Sequence, residues 1–414
     1  MKILIVNKFL FPNGGSETYI FEIGKQLISM GHDVQYFGME HEGRVVGNEL
    51  DCYTQNIDFH QATVLDKLKY PFQIIYSSKA KHAITEILKA FHPDVVHFNN
   101  INFQLTPSVI EAVHQFDPKI RMVYTAHDYQ WVCPNHLLRI PKSGNLCQAC
   151  IDGNFSSCIR NHCIHGSMAR SVLGAREGYY YRKRKTYRLI DTVICPSKFM
   201  ETILLHNPDL QGKTTVLHNF LSNISFDDAN YQKTNNGSFV LYFGRYDLEK
   251  GIRTALSAAR ALPNISFVFA GKGECEEEVK KAATESGNIT ELGFLSGQHL
   301  ADVIKNAAFS IFPSEWYENC PFSVVESQLY GTPVLASNLG GTPELLLEGV
   351  TGETFTPGTS EILSEKINSL WTDKSKLTRY QDACQQYAAC GRKKLGLLSC
   401  EEYCEKLLKI YRGE

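Results

Sequence analysis

No uncharged apolar run in these 414 residues approaches the ~20 that a bilayer-spanning helix needs, so no membrane span is expected. The apolar opening Ile3-Leu4-Ile5-Val6 stops at Asn7-Lys8, too soon for a secretory core, and this points to a cytoplasmic protein. An excess of one charge is missing as well. With Lys+Arg 42 against Asp+Glu 44, the formal net charge of -2 argues against nucleic acid as the main partner. Short repeats and low-complexity tracts are absent, and 43% hydrophobic with 21% charged residues is the composition of a folded, soluble chain. Histidine is scarce in one half only: 13 of the 14 lie in residues 1–218, and His299 alone lies beyond.

Charge divides along the same line. Residues 1–218 carry 23 Lys+Arg against 19 Asp+Glu, and residues 219–414 carry 19 against 25. Short apolar runs alternate with longer amphipathic stretches, the pattern of a parallel sheet wrapped by helices. In the first half the predicted strands are Ile3–Val6, Asp33–Phe37, Asp94–Phe98, Arg121–Ala126 and Thr192–Cys195. Gly14-Gly15 breaks the chain after the first, and Ser16 is placed to cap a helix with Ile20, Ile23 and Leu27 on one face. Residues 222–238 are polar and read as a linker, after which strands recur at Phe239–Phe243, Ile265–Ala270, Phe309–Phe312 and Pro333–Ala336. The expectation is an α/β protein of two facing, doubly wound, Rossmann-like domains with a cleft between them, 1–218 and 219–398, and a last helix in 399–414 that can pack on either domain, including back on the first.

In such sheets, ligands sit where glycine loops meet helix N-termini at the carboxyl ends of strands. Gly14 and Gly15 stand at one such place, although glycine pairs there are often only tight turns. In the second half, Gly244-Arg245 ends the first strand and Lys250-Gly251 follows. Two cations at that distance can converge on a diphosphate, the Arg by forked hydrogen bonds and the Lys as a point charge. The plain alternative is a surface pair balanced by Asp247 and Glu249. Glu318 and Glu326 flank Asn319-Cys320-Pro321-Phe322-Ser323-Val324-Val325 after the strand Phe309–Phe312. Pro321 fits the first turn of a helix, leaving Glu318 in a loop, Glu326 in the second turn and the amides of Phe322 and Ser323 open. A carboxylate such as Glu326 suits the vicinal diol of a ribose.

Five cysteines crowd into residues 133–163, within an insertion spanning 133–165. In a cytoplasmic chain they are not expected to be a disulfide framework, and Cys147-x-x-Cys150 is a half-site for tetrahedral zinc. A set of reduced, unligated thiols is the other reading. The basic, tyrosine-rich stretch 176–188 reads either as a solvated helix face or as a surface that lies on an anionic membrane.

Gly14-Gly15, Thr125-Ala126-His127-Asp128, Pro196-Ser197-Lys198-Phe199, Gly244-Arg245 with Lys250-Gly251, Glu318 with Glu326, and Gly340-Gly341-Thr342-Pro343-Glu344 together resemble the retaining glycosyltransferases of family four, of GT-B fold. The resemblance runs nearly the whole chain and does not specify a sugar. It implies that Arg245 and Lys250 hold a donor diphosphate, that Gly15 approaches it from the other domain, and that Glu326 binds the donor ribose. It further implies that Glu318, Asn319 and the backbone from Pro321 to Ser323 meet the donor sugar, that His127 takes a sugar hydroxyl beside the reacting carbon, and that Gly271 and Leu295 lie at the base. Asn319-Cys320-Pro321 departs from the small glycine-containing loops of many relatives. Relatives with a similar insertion suggest Cys133, Cys147, Cys150 and Cys163 as ligands of a structural zinc.

The implied reaction is retaining transfer from a nucleotide sugar, UDP-linked by preference, to a glycan or lipid-linked acceptor in surface polysaccharide synthesis, in the cytoplasm or peripherally on the inner face of the cytoplasmic membrane. No cofactor is required for catalysis, and the lack of any Asp-x-Asp pair agrees with a metal-independent donor site. A sugar-nucleotide epimerase or phosphorylase on a similar scaffold, or a nucleotide-sugar-binding component without catalysis, are the competing readings.

Overall fold

The computed structural model describes residues 1–55, 73–220, 237–386 and 395–414. The polar stretch 222–238 lies outside the described residues except for its last two positions. Two compact units result: Met1–Ser222 with Leu398–Glu414, and Asn223–Leu397.

The first unit holds β1 (Lys2–Val6), β2 (Asp33–Phe37), β3 (Val95–Phe98), β4 (Arg121–Thr125), β5 (Thr192–Cys195) and β6 (Thr214–Val216). They form one parallel sheet in the order β2-β1-β3-β4-β5-β6. Its order reverses between β1 and β3, where Ile5 pairs with Tyr36 on one side and His97 on the other. Ile3, Leu4, Ile5 and Val6 are all fully buried, because helices cover both faces; hence the unbroken apolar run.

The second unit holds β7 (Val240–Phe243), β8 (Phe267–Ala270), β9 (Ile289–Glu291), β10 (Phe309–Phe312), β11 (Val334–Ser337) and β12 (Gly352–Phe355). Its parallel order is β12-β11-β10-β7-β8-β9, so the switch falls between β7 and β10. Strand ends at each switch are where this architecture leaves room for a ligand.

Two local expectations are corrected. Ser16 does not cap the helix Gly15–Ser29: Gly14 is the N-cap residue and supplies no side chain, while the Ser16 hydroxyl donates to Glu17 Oε1 at 3.0 Å and accepts from Asn100. Pro321 stands one place earlier than the first turn, as the N-cap of the helix Phe322–Leu329. The final helix, Cys400–Arg412, begins with a capping box between Ser399 and Glu402. Its Tyr403, Cys404, Leu407, Leu408 and Tyr411 share a core with Tyr19, Ile20, Ile23 and Leu27 of the first unit.

Candidate active site

In the second unit, chemistry gathers at the ends of β7 and β10. Gly244 follows β7 at φ 139°, a conformation that side chains with a Cβ avoid. Arg245 projects outward, its side chain 62% exposed, and reaches Asp247 at 2.5 Å and Glu249 at 3.4 Å. The short turn Leu248–Lys250 ends at Gly251, φ 68°, where a Cβ would stand 1.9 Å from the Pro313 carbonyl. Only glycine lets the Lys250 turn press against the end of β10.

Lys250 Nζ donates to Glu318 Oε1 at 2.6 Å, and the Ser314 hydroxyl donates to the same oxygen at 2.8 Å. The ammonium also lies 5.4 Å from the centre of the Trp316 ring. Glu318 is buried, and its backbone is clasped by the glycine pair downstream: Gly341 N donates to Glu318 O at 2.7 Å, and a Cβ on Gly340 would fall 2.4 Å from that oxygen. Asn319 and Cys320 lead along the chain to Pro321, from which the helix Phe322–Leu329 starts. The amides of Phe322 and Ser323 precede the first hydrogen bond of that turn, Val324 N to Pro321 O.

Next to this loop is a cavity of about 350 Å³. Phe243, Ala270, Phe294, Leu295 and Leu300 give it an apolar wall, and Gly244, Arg245, Gly271, Lys272, Ser323 and Glu326 complete it. Burial raises the carboxyl pKa of Glu326 above its ordinary value. A Cβ on Gly271 would sit 1.9 Å from Gly244 O, so these two loops meet backbone to backbone. The structure therefore brings Arg245, Gly271, Leu295, Ser323 and Glu326 to one cavity, with the Lys250–Glu318 pair, Asn319 and Pro321 in the adjoining loop and Phe322 at the helix start. Ser314 and Trp316 were missed in the sequence; a polar residue two positions past a buried strand was the available sign.

Gly14, Gly15 and His127 belong to the first unit. A Cβ on Gly15 would meet nothing within 4 Å, so the space before this helix is open. Asn7, just past β1, donates to the buried Glu17 at 3.0 Å and accepts from Asn100 N at 3.0 Å, tying the ends of β1 and β3 to the helix start. His127 lies two residues past β4, with Nε2 2.9 Å from Asn99 Oδ1. Asn99 Nδ2 donates to His97 O at 3.3 Å, which turns its Oδ1 toward His127 and makes Nε2 the protonated nitrogen. Burial pushes His127 down to about 4, against the pull of Asp128, so the imidazole is neutral near pH 7.

Behind it runs a chain of buried hydroxyls and imidazole. Tyr403 and Tyr19 hydroxyls are 2.8 Å apart, Tyr19 and Thr125 3.1 Å, Thr125 and His97 Nε2 2.8 Å, and His97 Nδ1 and Tyr411 2.7 Å. Burial pushes His97 down to about 3. The Tyr19 ring packs edge-on against His127 with centres 5.1 Å apart.

Among the described residues, no three His, Cys, Asp or Glu side chains stand in metal-holding geometry. Cys133, Cys150, Cys158 and Cys163 are buried and Cys147 partly so. Burial pushes Cys133 up to about 12 and Cys150 up to about 11, while a hydrogen bond with Cys158 draws Cys163 down. The basic stretch lies on the helix Met168–Arg184 and the turn after it. Part of its charge is met internally, since Arg184 forks onto Glu111 at 2.8 Å; the Tyr181 hydroxyl donates to Ile75 O. Arg176, Lys183 and Lys185 face outward.

Two doubly wound units of parallel strands, the second with cations and a nucleotide-sized cavity at its switch point, make up the GT-B class of α/β protein. The solved structure of Anabaena HepE in complex with UDP, 17% identical, aligns over 100% of both chains with a TM-score of 0.66. The family model for Glycosyltransferase Family 4 matches residues 13–222 and that for Glycosyl transferases group 1 matches residues 223–389; the chain belongs to this glycosyltransferase family. A 42.6 kDa protein in the cps region of Klebsiella pneumoniae is 22% identical over 357 residues, 83% of this chain and 87% of that one. A glycosyltransferase of Methanocaldococcus jannaschii is 25% identical over 210 residues, 50% of this chain and 57% of that one.

Proposed function

We propose that the protein transfers a sugar from a UDP-sugar, with retention of configuration, to a saccharide or lipid-linked saccharide during surface polysaccharide assembly. The observation that carries this is the set Arg245, Lys250, Glu318 and Glu326 around one cavity and one helix start. The apolar wall suits a base and Glu326 the ribose diol, while Arg245 and Lys250 suit the diphosphate. Both cations are neutralised by carboxylates in the free protein, so the diphosphate exchanges partners rather than meeting bare charge. Holding the departing diphosphate is the largest catalytic contribution we assign, about 3 kcal/mol per good contact. The bond from the anomeric carbon to the diphosphate breaks, through an oxocarbenium-like state, on the face the acceptor hydroxyl approaches; the acceptor oxygen bonds that carbon and its proton passes to the departing diphosphate oxygen. In the first unit, the neutral His127 is assigned to a sugar hydroxyl. The UDP complex of HepE and the cps-region relative support the nucleotide and the setting.

A thermal-shift panel of UDP-, GDP-, ADP- and TDP-sugars, with Arg245→Ala and Glu326→Ala as controls, tests the donor reading. UDP-sugars are expected to stabilise the wild type and neither variant; at ~100 times the dissociation constant the gain is about 2.7 kcal/mol. A shift unaltered in both variants would sink the site assignment. NMR of the anomeric proton in the first-formed product then reads retention.

Zinc on Cys133, Cys147, Cys150 and Cys163 is a further part of this reading, favoured by the common burial of three of these thiols. The side chains do not form a tetrahedral set as they stand, so binding would need the insertion to tighten. Elemental analysis of purified protein decides it, one equivalent against none. Peripheral membrane contact through Arg176, Lys183 and Lys185 is tested by co-sedimentation with anionic vesicles at low salt.

A further inference from the structure

The loops that follow β3 and β4 carry a second polar cluster that donor binding leaves unused. Asp128 accepts from His136 Nδ1 at 3.1 Å and from Asn102 Nδ2 at 3.3 Å. With Nδ1 engaged, His136 keeps Nε2 for something beyond the protein; its side chain is 15% exposed. Asn102 is fully buried, and its Oδ1 meets no donor. The Phe103 ring, partly exposed, lies 5.0 Å from the imidazole, tilted by 38°. Four non-glycine residues in these two loops hold left-handed backbone: Phe103 (φ 60°), Thr106 (62°), His136 (67°) and Leu138 (49°). A Cβ disfavours that conformation, and it persists chiefly where the surroundings enforce it, often at ligand sites.

Position adds meaning to this chemistry. β3 and β4 are neighbours, and Asn99 at the end of one already binds His127 at the end of the other. The Asn102–Asp128–His136 cluster is the next step outward along the same two loops. An aromatic face, a carboxylate-backed imidazole and an amide oxygen awaiting a donor suit a neutral ring with one apolar face and several hydroxyls. An anion would meet Asp128 instead. We propose that Phe103, Asn102, Asp128 and His136 form a subsite for a neutral pyranoside, the sugar that receives the transferred group. This assignment rests on the transfer reading above for the word "receives", but not for the binding.

Saturation-transfer NMR on the full chain without donor reads the binding directly. The probes are the methyl α- and β-glycosides of glucose, galactose, mannose and N-acetylglucosamine. At least one is expected to bind wild type, with His136→Ala and Phe103→Ala each weakening it about tenfold, one good contact's worth. His136→Gln, which keeps a polar amide near the Nε2 position, is expected to recover part of the loss. The unliganded melting midpoint of each variant serves as the folding control. No saturation of any glycoside by wild type overturns the subsite, and so does equal binding by wild type and both alanine variants. If glycosides bind and the variants lose them while no nucleotide sugar shifts the melting point, the donor reading fails and the subsite stands.

Discussion

The two units each hold six parallel strands and differ in the polar groups at the ends of their central strands. In the second, the buried polar groups, such as Ser310 with Ser327 and Gln328 with Thr351, bond among themselves, and charge stands at the ends of β7 and β10 as pairs: Arg245 with Asp247 and Glu249, Lys250 with Glu318. In the first, polar atoms run through the interior from Tyr403 to Tyr411, and both imidazoles, His97 and His127, are held neutral by burial. Rim charges that already have partners can trade them for a charged ligand at small cost in desolvation. Buried hydroxyls and neutral rings cannot answer a charge, yet they hold the ends of β3 and β4 rigidly enough to orient neutral hydroxyls. The division fits a reaction whose charged half, the diphosphate, and whose neutral half, the sugars, need different surroundings.

The comparison breaks most visibly at the rim cations. Arg245→Ala or Lys250→Ala is expected to cut turnover by ~10²–10³-fold, the usual loss for one preorganised contact to a leaving group. Each should also weaken UDP by about 10- to 100-fold, since hydrogen bonds to charged groups are worth about 1.5–3 kcal/mol. Steady-state kinetics with a UDP titration check both; unchanged UDP affinity in both variants would remove the diphosphate from this site. Glu318→Gln sharpens the point with a smaller effect. Turnover is expected to fall ~10²-fold while UDP affinity holds or rises severalfold, because Lys250 loses a competing carboxylate. Weaker UDP binding in that variant would mean the pair is a fixed support rather than an exchangeable partner.

In the first unit the buried carboxyl of Glu177 tests how far neutrality is enforced. It is 2% exposed, and Gln130 Nε2 reaches it at 3.4 Å. Burial, with the nearby Asp128, pushes it up to about 8 from its ordinary value near 4.5. The sign follows: the protonated form suits the fold, so its contribution is full below about pH 4.5 and lost as pH rises toward 8. Glu177→Gln is therefore expected to match wild type near pH 4.5 and to exceed it by about 2–4 kcal/mol at pH 8. Denaturant melts at several pH values measure this, and parallel curves would show that Glu177 is ionised in the fold.

Much of this fold could be read in the sequence because its central strands are buried on both faces. Asp33–Phe37, Thr192–Cys195 and Phe309–Phe312 match their predicted spans, and the other expected strands shift by one or two residues. The strands left unread, β6, β9 and β12, are short edge or near-edge segments: Thr214–Val216 is only half-buried, and Ile289–Glu291 ends in a carboxylate. Such segments have no apolar run to show. The donor residues were legible because their spacing is local to two loops. The Tyr19–Thr125–His97–Tyr411 chain was not, since its members meet across separations of up to 314 positions and none is unusual alone. His136 was equally hidden, one histidine among thirteen in its half until Asp128 and Asn102 close on it.

The smallest expected effect concerns that hidden chain and the helix that completes it. Tyr411→Phe keeps the ring in the core and removes only the hydroxyl 2.7 Å from His97 Nδ1. His97 is fully buried, so its nitrogen would be left without a partner at a cost of about 1–2 kcal/mol. A drop in melting midpoint of roughly 2–6 °C follows for a unit of this size. Because Thr125 links His97 to Tyr19, and Tyr19 packs on His127, the loss should also reach transfer as a modest fall in kcat, about two- to fivefold. UDP affinity belongs to the rim of the other unit and should stay as in wild type. A Tyr411→Phe protein that melts lower but keeps its full kcat would confine the chain to structural support, whereas a fall in kcat with UDP affinity intact would tie the last helix to the placement of His127.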